Sequence, residues 1–310
     1  MNLPNAITKY LAAYQSTSQI EHILLIGNDT YDYKNYLGIN STSFIPTKYA
    51  PTVYIPHTPS DALLTDLNND GLSNISIGRW PVRNMDELNH IVNKTLQWSE
   101  TNDISAIFMT DIEENESNSF ELQASNMIQS LLNIEPSLID ITEVFPSKIE
   151  INSGENIIDK SRDLLFNGWQ NGFSLTNFIG HGSPTQWSQQ GILASGDLAG
   201  LFNENYSTLI GTSTCYSSYF VAPSTNSLSL NLMNGFNGRQ NGAVAIHGAS
   251  TLSSYSGNEI FANHVLEQQL QGETLGKAIL SARILSRNLG YNDQVINWVL
   301  LGDPTLRIKY

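Results

Sequence analysis

Cysteine, charge and long apolar runs are all scarce in this 310-residue sequence. Its single cysteine, Cys215, excludes an internal disulfide and a multi-thiolate metal site, so the thiol serves either packing or reactivity. The longest apolar stretches, such as residues 23–26, are far shorter than the roughly 18 residues that cross a bilayer. Because the first residues also lack the basic and apolar regions of a signal peptide, we expect either an intracellular protein or a trimmed form of an exported one.

Charge is not only scarce but unbalanced. Charged residues make up 14% of the chain, and 29 acidic residues against 15 basic ones give a net charge of −14. No run of Lys or Arg occurs, so nucleic acids and anionic membranes are poor partners. Hydrophobic residues still make up 40% of the sequence, which is typical of a folded chain and not of a disordered one.

Short apolar runs alternate with helix-period segments along the chain, which predicts an α/β fold with a mainly parallel sheet flanked by helices. We expect strands at His22–Gly27, Ser73–Ile77, Ile104–Met109, Leu138–Val144, Phe173–Ile179, Thr208–Thr212 and Ala243–His247. Apolar stripes predict helices at 85–100, near 120–133 and near 274–289. The segment 101–103 is the expected boundary between a smaller α/β subdomain, 1–102, and a larger one, 103–310.

Two of these strands end in residues that can carry chemistry. His181 follows one strand within an Asn177–Ser183 segment, and Cys215 follows the next strand 34 residues later. A thiol needs a nearby base to become a thiolate, and one crossover can bring these strand ends side by side. The main-chain N–H groups of Gly182 and Cys215 could then form an oxyanion hole. The alternative is a small buried cysteine and a histidine with an ordinary structural role.

Five segments occur in order along the chain: residues 77–82, residues 178–183 with Trp187 shortly after, residues 213–215, residues 243–251 and residues 301–306. Together they resemble the motifs of the gingipain family of cysteine peptidases, which have a caspase-like fold. The resemblance extends over about residues 22 to 308, and it makes 103–310 the catalytic subdomain, packed against the smaller one.

The resemblance implies a secreted cysteine-type endopeptidase, a hydrolase active in proteolysis. Cys215 would attack the peptide carbonyl, and His181 would act first as base and then as acid around an acyl-enzyme. Asp111 occupies the place of a carboxylate that orients the histidine, although a strand-end cap is an equal interpretation. The resemblance also places Glu121, Trp187 and Tyr255 among the substrate-binding residues.

Glu121 is the expected acid of the substrate pocket, where a carboxylate would select Lys or Arg before the scissile bond. It also lies in the first turn of a predicted helix, where acidic residues are common because the helix dipole favours them. Both interpretations stay open at this point.

A separate segment, Asp66–Gly71, has oxygen-bearing side chains at alternate positions before a glycine. Asp66, Asn68 and Asp70 are therefore candidate calcium ligands. Position twelve of this loop is Ile77, which excludes an EF-hand, and an Asx-rich turn is the favoured interpretation. We expect the reaction to require no cofactor.

Two other functions are compatible with these residues. A secretion-linked, sortase-like transpeptidase of the same family would use an amine in place of water, and a non-catalytic module could belong to a larger exported chain. A nucleotide-binding protein is excluded, because neither GxGxxG nor GxxxxGK[ST] is present. We expect a protein or peptide substrate and a secreted or cell-surface bacterial protein, either by itself or as part of a larger multidomain chain.

Overall fold

The computed structural model describes residues 3–98, 105–113, 119–134, 140–223 and 227–308. The strands are β1 (His22–Ile26), β2 (Lys48–Ala50), β3 (Thr58–Ser60), β4 (Ser76–Trp80), β5 (Ser105–Thr110), β6 (Asp140–Val144), β7 (Leu175–Ile179), β8 (Gln186–Trp187), β9 (Leu193–Ala194), β10 (Thr208–Ser213), β11 (Ala243–Ala249) and β12 (Trp298–Leu301). The helices are α1 (Leu3–Gln15), α2 (Met85–Trp98), α3 (Ser119–Ile134), α4 (Ile157–Gln170), α5 (Leu228–Asn234), α6 (Tyr255–Leu270), α7 (Leu275–Asn288) and α8 (Asn292–Asn297). Short 3₁₀ helices occupy Asp61–Thr65, Pro146–Lys148 and Ser195–Gly200.

A sheet of eight strands crosses the described part of the molecule in the order β1-β4-β12-β11-β10-β7-β5-β6. Every neighbouring pair in it is parallel except β11 with β12. The strand pairs β2–β3 and β8–β9 form two small separate sheets. The predicted α/β fold with a mainly parallel sheet is therefore confirmed.

The expected strands all form, with shifted ends in several cases. The second begins at Ser76 and not at Ser73, because the Ser73 hydroxyl donates to the Ala62 carbonyl and the Asn74 N–H to the Thr65 carbonyl. These bonds hold residues 73–74 in a turn. Two expected strands and one expected helix extend into residues 104, 138–139 and 99–100, which lie outside the described residues.

The structure contains several elements that the sequence patterns do not predict, including β12 and the 16-residue helix α6. Helix α6 buries polar residues such as Asn258 and Gln269 beside apolar ones, so it presents no continuous apolar stripe. The expected boundary at 101–103 also lies outside the described residues, and the division into two subdomains stays a prediction. Strands β1 and β4 belong to the same sheet as the rest.

Two hydrophobic clusters cover opposite faces of the sheet. Along β5, Ala106 and Phe108 belong to one cluster, whereas Ile107 and Met109 belong to the other. This alternation is the period of two that a strand buried on both faces requires. The first cluster includes the expected stripe of α3, namely Ala124, Met127, Ile128 and Leu131.

A buried arginine at the end of β4 connects distant loops. The Arg79 side chain is fully buried and forms a two-point ion pair with Asp61, with both N–O distances 2.7 Å. It also donates to the carbonyls of Gly27 and Ile45, and its guanidinium carbon lies 4.9 Å from the centre of the Phe220 ring. One side chain thus joins the loop after β1 to the chain that follows Cys215.

A buried lysine on α2 has a comparable role. Lys94 is fully buried, and its Nζ donates to the main-chain carbonyls of Leu232, Met233 and Asn241 at 3.0, 2.5 and 3.3 Å. Burial lowers the pKa of Lys94 from 10.5 to about 7. The folded protein therefore binds the lysine proton less tightly than the unfolded chain does.

Stability should consequently rise with pH between about 7 and 10.5, because the unfolded chain carries more protons in this window. Substituting Lys94→Met should remove this dependence, so that the free energy of unfolding of the wild type gains about 1 kcal/mol per pH unit over that of the variant. Urea unfolding at several pH values measures the difference. Lys160→Met, at a half-exposed surface pair with Glu155, is the control and should follow the wild type. Parallel curves for wild type and Lys94→Met would contradict the prediction.

Candidate active site

The site begins with the pairing of β7 and β10. These parallel strands are in register from Leu175–Leu209 to Ile179–Ser213, and the Gly180 N–H then donates to the Ser213 carbonyl at 3.3 Å. His181 and Cys215 each follow two residues after their strand. The predicted arrangement of two neighbouring strand ends at one edge of the sheet is what the structure contains.

Gly182 lies directly against the segment Thr214–Cys215. A Cβ at this position would lie 2.6 Å from both the Cys215 carbonyl oxygen and the Thr214 hydroxyl, closer than real Cβ atoms approach. Only glycine lets the chain after His181 come this near to Cys215. Within the described ranges, the N–H groups of Gly182 and Cys215 donate to no hydrogen-bond acceptor. Their role as an oxyanion hole stays a prediction.

Cys215 is half-buried, and its Sγ donates to the Ser253 carbonyl at an S–O distance of 3.7 Å. Burial raises the pKa of the Cys215 thiol above its ordinary value. The thiol is therefore largely protonated near neutral pH, so attack on a carbonyl requires a base that removes the proton.

The His181 side chain is exposed at the surface of this edge. Its ring meets the Phe120 ring edge-on, with centroids 5.4 Å apart and planes at 87°. Phe120 in turn lies 5.7 Å from the Tyr255 ring. Helices α3 and α6 thus supply an aromatic row that ends at the imidazole.

Asp111 follows β5 and is buried. Its Oδ2 accepts the His181 main-chain N–H at 3.0 Å, and its Oδ1 accepts the Ile112 N–H at 2.7 Å. The carboxylate therefore caps the strand end and holds the backbone of His181. Orientation of the imidazole by this group stays a prediction.

The three expected substrate-binding residues lie in different surroundings. Glu121, in the first turn of α3, accepts from the Ser147 N–H at 3.0 Å and from its hydroxyl at 2.5 Å, beside the edge strand β6. Trp187 is buried, with its ring stacked 4.6 Å from Phe178. Tyr255 begins α6, and its hydroxyl donates to the Ser119 carbonyl at 2.7 Å. Of the three, Tyr255 is connected to His181 through a ring contact with Phe120.

The candidate calcium segment forms a tight turn. Both Asp66 oxygens accept main-chain N–H groups, from Asp70 at 3.1 Å and from Gly71 at 3.0 Å. Asp70 accepts from the Leu72 N–H and from the Asn68 amide. Among the residues that the structure describes, no group of three or more His, Cys, Asp or Glu could hold a metal ion.

Phe120 and Ser253 belong to the site but were not identified from the sequence. Phe120 begins a helix whose apolar stripe is part of the core, so its contact with His181 has no separate sequence signal. Ser253 contributes its main-chain carbonyl, which every residue type carries.

The sheet, covered by helices on both faces, has a caspase-like fold, and it places a thiol and an imidazole after two neighbouring parallel strands. The chain belongs to peptidase family C25, whose family model matches residues 2–309. The enzyme is therefore a hydrolase that acts on proteins or peptides.

Solved structures with the same fold include the Arg-specific cysteine proteinase gingipain R, at a TM-score of 0.76 and 18% identity, with 98% of this chain and 68% of that one covered. The complex of Porphyromonas gingivalis RgpB pro- and mature domains also has a TM-score of 0.76, at 17% identity with 98% and 69% covered. A comparison with curated protein sequences found no match. No helix within the described ranges is long and apolar enough to span a membrane.

Substitution of Gly182 tests the close contact between the two strand ends. In Gly182→Ala the new Cβ must displace the Cys215 carbonyl or the Thr214 hydroxyl, so we expect the rate of peptide hydrolysis to fall at least about tenfold while the protein stays folded. Gly196→Ala is the matched control, since a Cβ there meets no atom within 4 Å. Equal activity of the two variants would show that the contact does not matter for the reaction.

Proposed function

We propose that this peptidase is an endopeptidase that works through a Cys215–His181 dyad. The observation that carries the proposal is the β7–β10 register, which ends at Ile179–Ser213 and sets Gly182 against the Cys215 carbonyl. His181 and Cys215 each lie two residues beyond the end of this strand pair. The raised pKa of the thiol fits a nucleophile that is activated by a base and is not a thiolate at rest.

In the proposed reaction, His181 takes the Sγ proton while Sγ bonds to the substrate carbonyl carbon. The tetrahedral intermediate collapses as the imidazolium returns the proton to the leaving amine, which breaks the C–N bond and leaves a thioester. His181 then removes a proton from water, and the resulting hydroxide attacks the thioester carbon. The C–S bond breaks, the carboxylic acid product leaves, and the imidazolium returns the proton to the Cys215 sulfur. The exposure of His181 gives water access to the imidazole for the second half.

The N–H groups of Gly182 and Cys215 are proposed to stabilise the intermediate oxyanion. Because the described chain gives neither of them an acceptor, both can donate to a substrate oxygen. Asp111 is proposed to support this arrangement, since its contact with the His181 N–H fixes the backbone immediately before Gly182.

Substitution of the dyad tests the proposal. Cys215→Ala should abolish cleavage of a casein-type substrate and His181→Ala should come close to doing so, because the thiol and its base act as one unit. Labelling with a peptidyl acyloxymethyl ketone should modify Cys215 in the wild type.

His264→Ala is the control, because this histidine bonds Ser281 and should leave the rate unchanged. Wild-type cleavage by folded Cys215→Ala would overturn the nucleophile assignment. Analysis of the products in the presence of an added amine peptide distinguishes hydrolysis from the sortase-like alternative.

Cleavage after a basic residue is proposed through Glu121. Its carboxylate is partly exposed, and the hydrogen bonds from Ser147 hold it in one orientation, which suits recognition of a cationic side chain. The excess of acidic residues also favours basic substrates. Trp187 and Tyr255 are proposed as further parts of the pocket, Trp187 as its buried support.

A positional library of fluorogenic peptides tests this preference. Glu121→Gln should reduce the kcat/KM for Arg or Lys before the scissile bond about tenfold relative to neutral residues, since the amide keeps the shape and loses the charge. Glu143→Gln, on the neighbouring strand β6, is the control and should keep the wild-type profile. A basic preference that Glu121→Gln leaves intact would return Glu121 to a helix-capping role.

The Asp66–Gly71 turn is proposed to need no calcium, because N–H groups already occupy the Asp66 oxygens. Calorimetric melting with chelator and with millimolar calcium should give the same transition temperature. A transition that rises by several degrees with calcium would instead establish Asp66, Asn68 and Asp70 as ligands.

A secreted or cell-surface location is proposed from the family and from the neutral-polar composition with a single cysteine. Immunodetection in the culture medium and in cell fractions tests it. The same blot gives the size of the native chain, which shows whether further domains accompany this one.

A further inference from the structure

The loop between β11 and α6, residues 250–254, lies beside the nucleophile. Its Ser253 carbonyl accepts from the Cys215 Sγ at 3.7 Å, and its Thr251 carbonyl accepts the Tyr216 N–H at 3.1 Å. Tyr216 has a left-handed φ of 56°, a strained conformation for a tyrosine that surrounding contacts must maintain. The position of this loop therefore affects the geometry of Cys215.

Helix α8 holds the loop through two residues that lie on one face, Gln294 and Asn297, which we call the α8 bracket. Asn297 accepts the Ser250 N–H on its main-chain oxygen at 2.7 Å and donates from Nδ2 to the Leu252 carbonyl at 3.2 Å. Gln294 donates from Nε2 to the Ser253 hydroxyl at 2.9 Å. The bracket thus spans the loop from its first residue to the one that contacts the thiol.

The Gln294 contact continues into a short chain of hydrogen bonds. The Ser253 hydroxyl donates to Asn258 Oδ1 at 2.5 Å. The Gln294 Nε2 also lies 3.1 Å from the Ser254 hydroxyl and 3.4 Å from Asn258 Oδ1, so Ser253 is its shortest contact with the loop. Gln294 is 1% exposed and Asn258 3% exposed. Hydrogen bonds in such surroundings hold a group firmly, because no water competes for them.

The oxygen of the Gln294 side-chain amide lowers the stability of the folded protein. Its Oε1 is buried and has no hydrogen-bond partner in the part of the chain that the structure describes. An unpaired buried oxygen lowers stability, and an apolar side chain of similar length would avoid that cost. The presence of a polar residue at this position is therefore better explained by the contact of its Nε2 with Ser253 than by a gain in stability.

We propose that Gln294 is a positioning residue for catalysis, which acts through Ser253 to hold the Cys215 thiol where His181 can deprotonate it. The inference rests on the proposed Cys215–His181 reaction. Among the described residues, no hydrogen bond joins the Gln294 side chain to Cys215, which it follows by 79 positions in the sequence.

The test uses Gln294→Met, Ser253→Ala and the double variant. Gln294→Met keeps the side-chain length without the donor, so we expect kcat for a fluorogenic peptide to fall about tenfold, with KM within about twofold of the wild type. Because both groups act in one chain, the double variant should be no slower than the slower single variant. Iodoacetamide should alkylate Cys215 at least about threefold more slowly in Gln294→Met, since the reagent reacts with the thiolate and a displaced thiol passes its proton to His181 less readily.

The matched control is Asn203→Ala. Asn203 is equally buried and bonds the Tyr206 carbonyl and both main-chain groups of Gly242, near the opposite end of β10. This variant should lose stability in a thermal melt and keep the wild-type kcat and alkylation rate. It therefore separates a general loss of stability from a loss of positioning.

Three results would overturn the inference: an unchanged kcat in Gln294→Met, losses that multiply in the double variant, or the same kcat loss in Asn203→Ala. A wild type without Cys215-dependent cleavage would contradict the proposed function instead. In that case the alkylation rates still decide whether Gln294 controls the thiol.

Discussion

The parallel pairing of β7 with β10 is the constraint on which the site depends. A shift of one residue in this register would turn every side chain of one strand to the opposite face of the sheet. Both faces are covered by hydrophobic clusters, with Phe178 and Ile210 in one and Ile179 and Leu209 in the other. Packing on both faces therefore determines the register. The register in turn determines where the segments that carry His181 and Cys215 begin.

Beyond the strand ends, polar side chains take over from apolar packing. Asp111 and Gln294 are both buried, and they bond respectively to the backbone of His181 and to the loop that contacts Cys215. A loop lacks the regular main-chain hydrogen bonds of a helix or a sheet. Hydrogen bonds from buried side chains therefore limit how far the groups of the loop can move. This architecture suits the proposed reaction, which requires a thiol, an imidazole and two N–H donors in fixed positions.

The state of the thiol follows from the same anchoring. Burial beside the Ser253 loop raises the pKa of Cys215, which keeps the sulfur protonated and less prone to oxidation at rest. In the proposed reaction, reactivity then depends on His181, whose side chain is exposed. The Phe120 ring contacts both the His181 ring and the Tyr255 ring, and so connects His181 with one residue of the proposed pocket.

The sequence by itself determined the α/β class, seven strands of the sheet and the position of His181 and Cys215 after two of these strands. Apolar periodicity and strand-end residues are local signals, readable within ten residues or so. Only the tertiary structure decided that Asp111 bonds the His181 backbone, that Glu121 meets Ser147, and that α6 and β12 form at all. These features rest on hydrogen bonds and packing between residues far apart in the chain, which follow no period and become defined once the sheet brings the segments together.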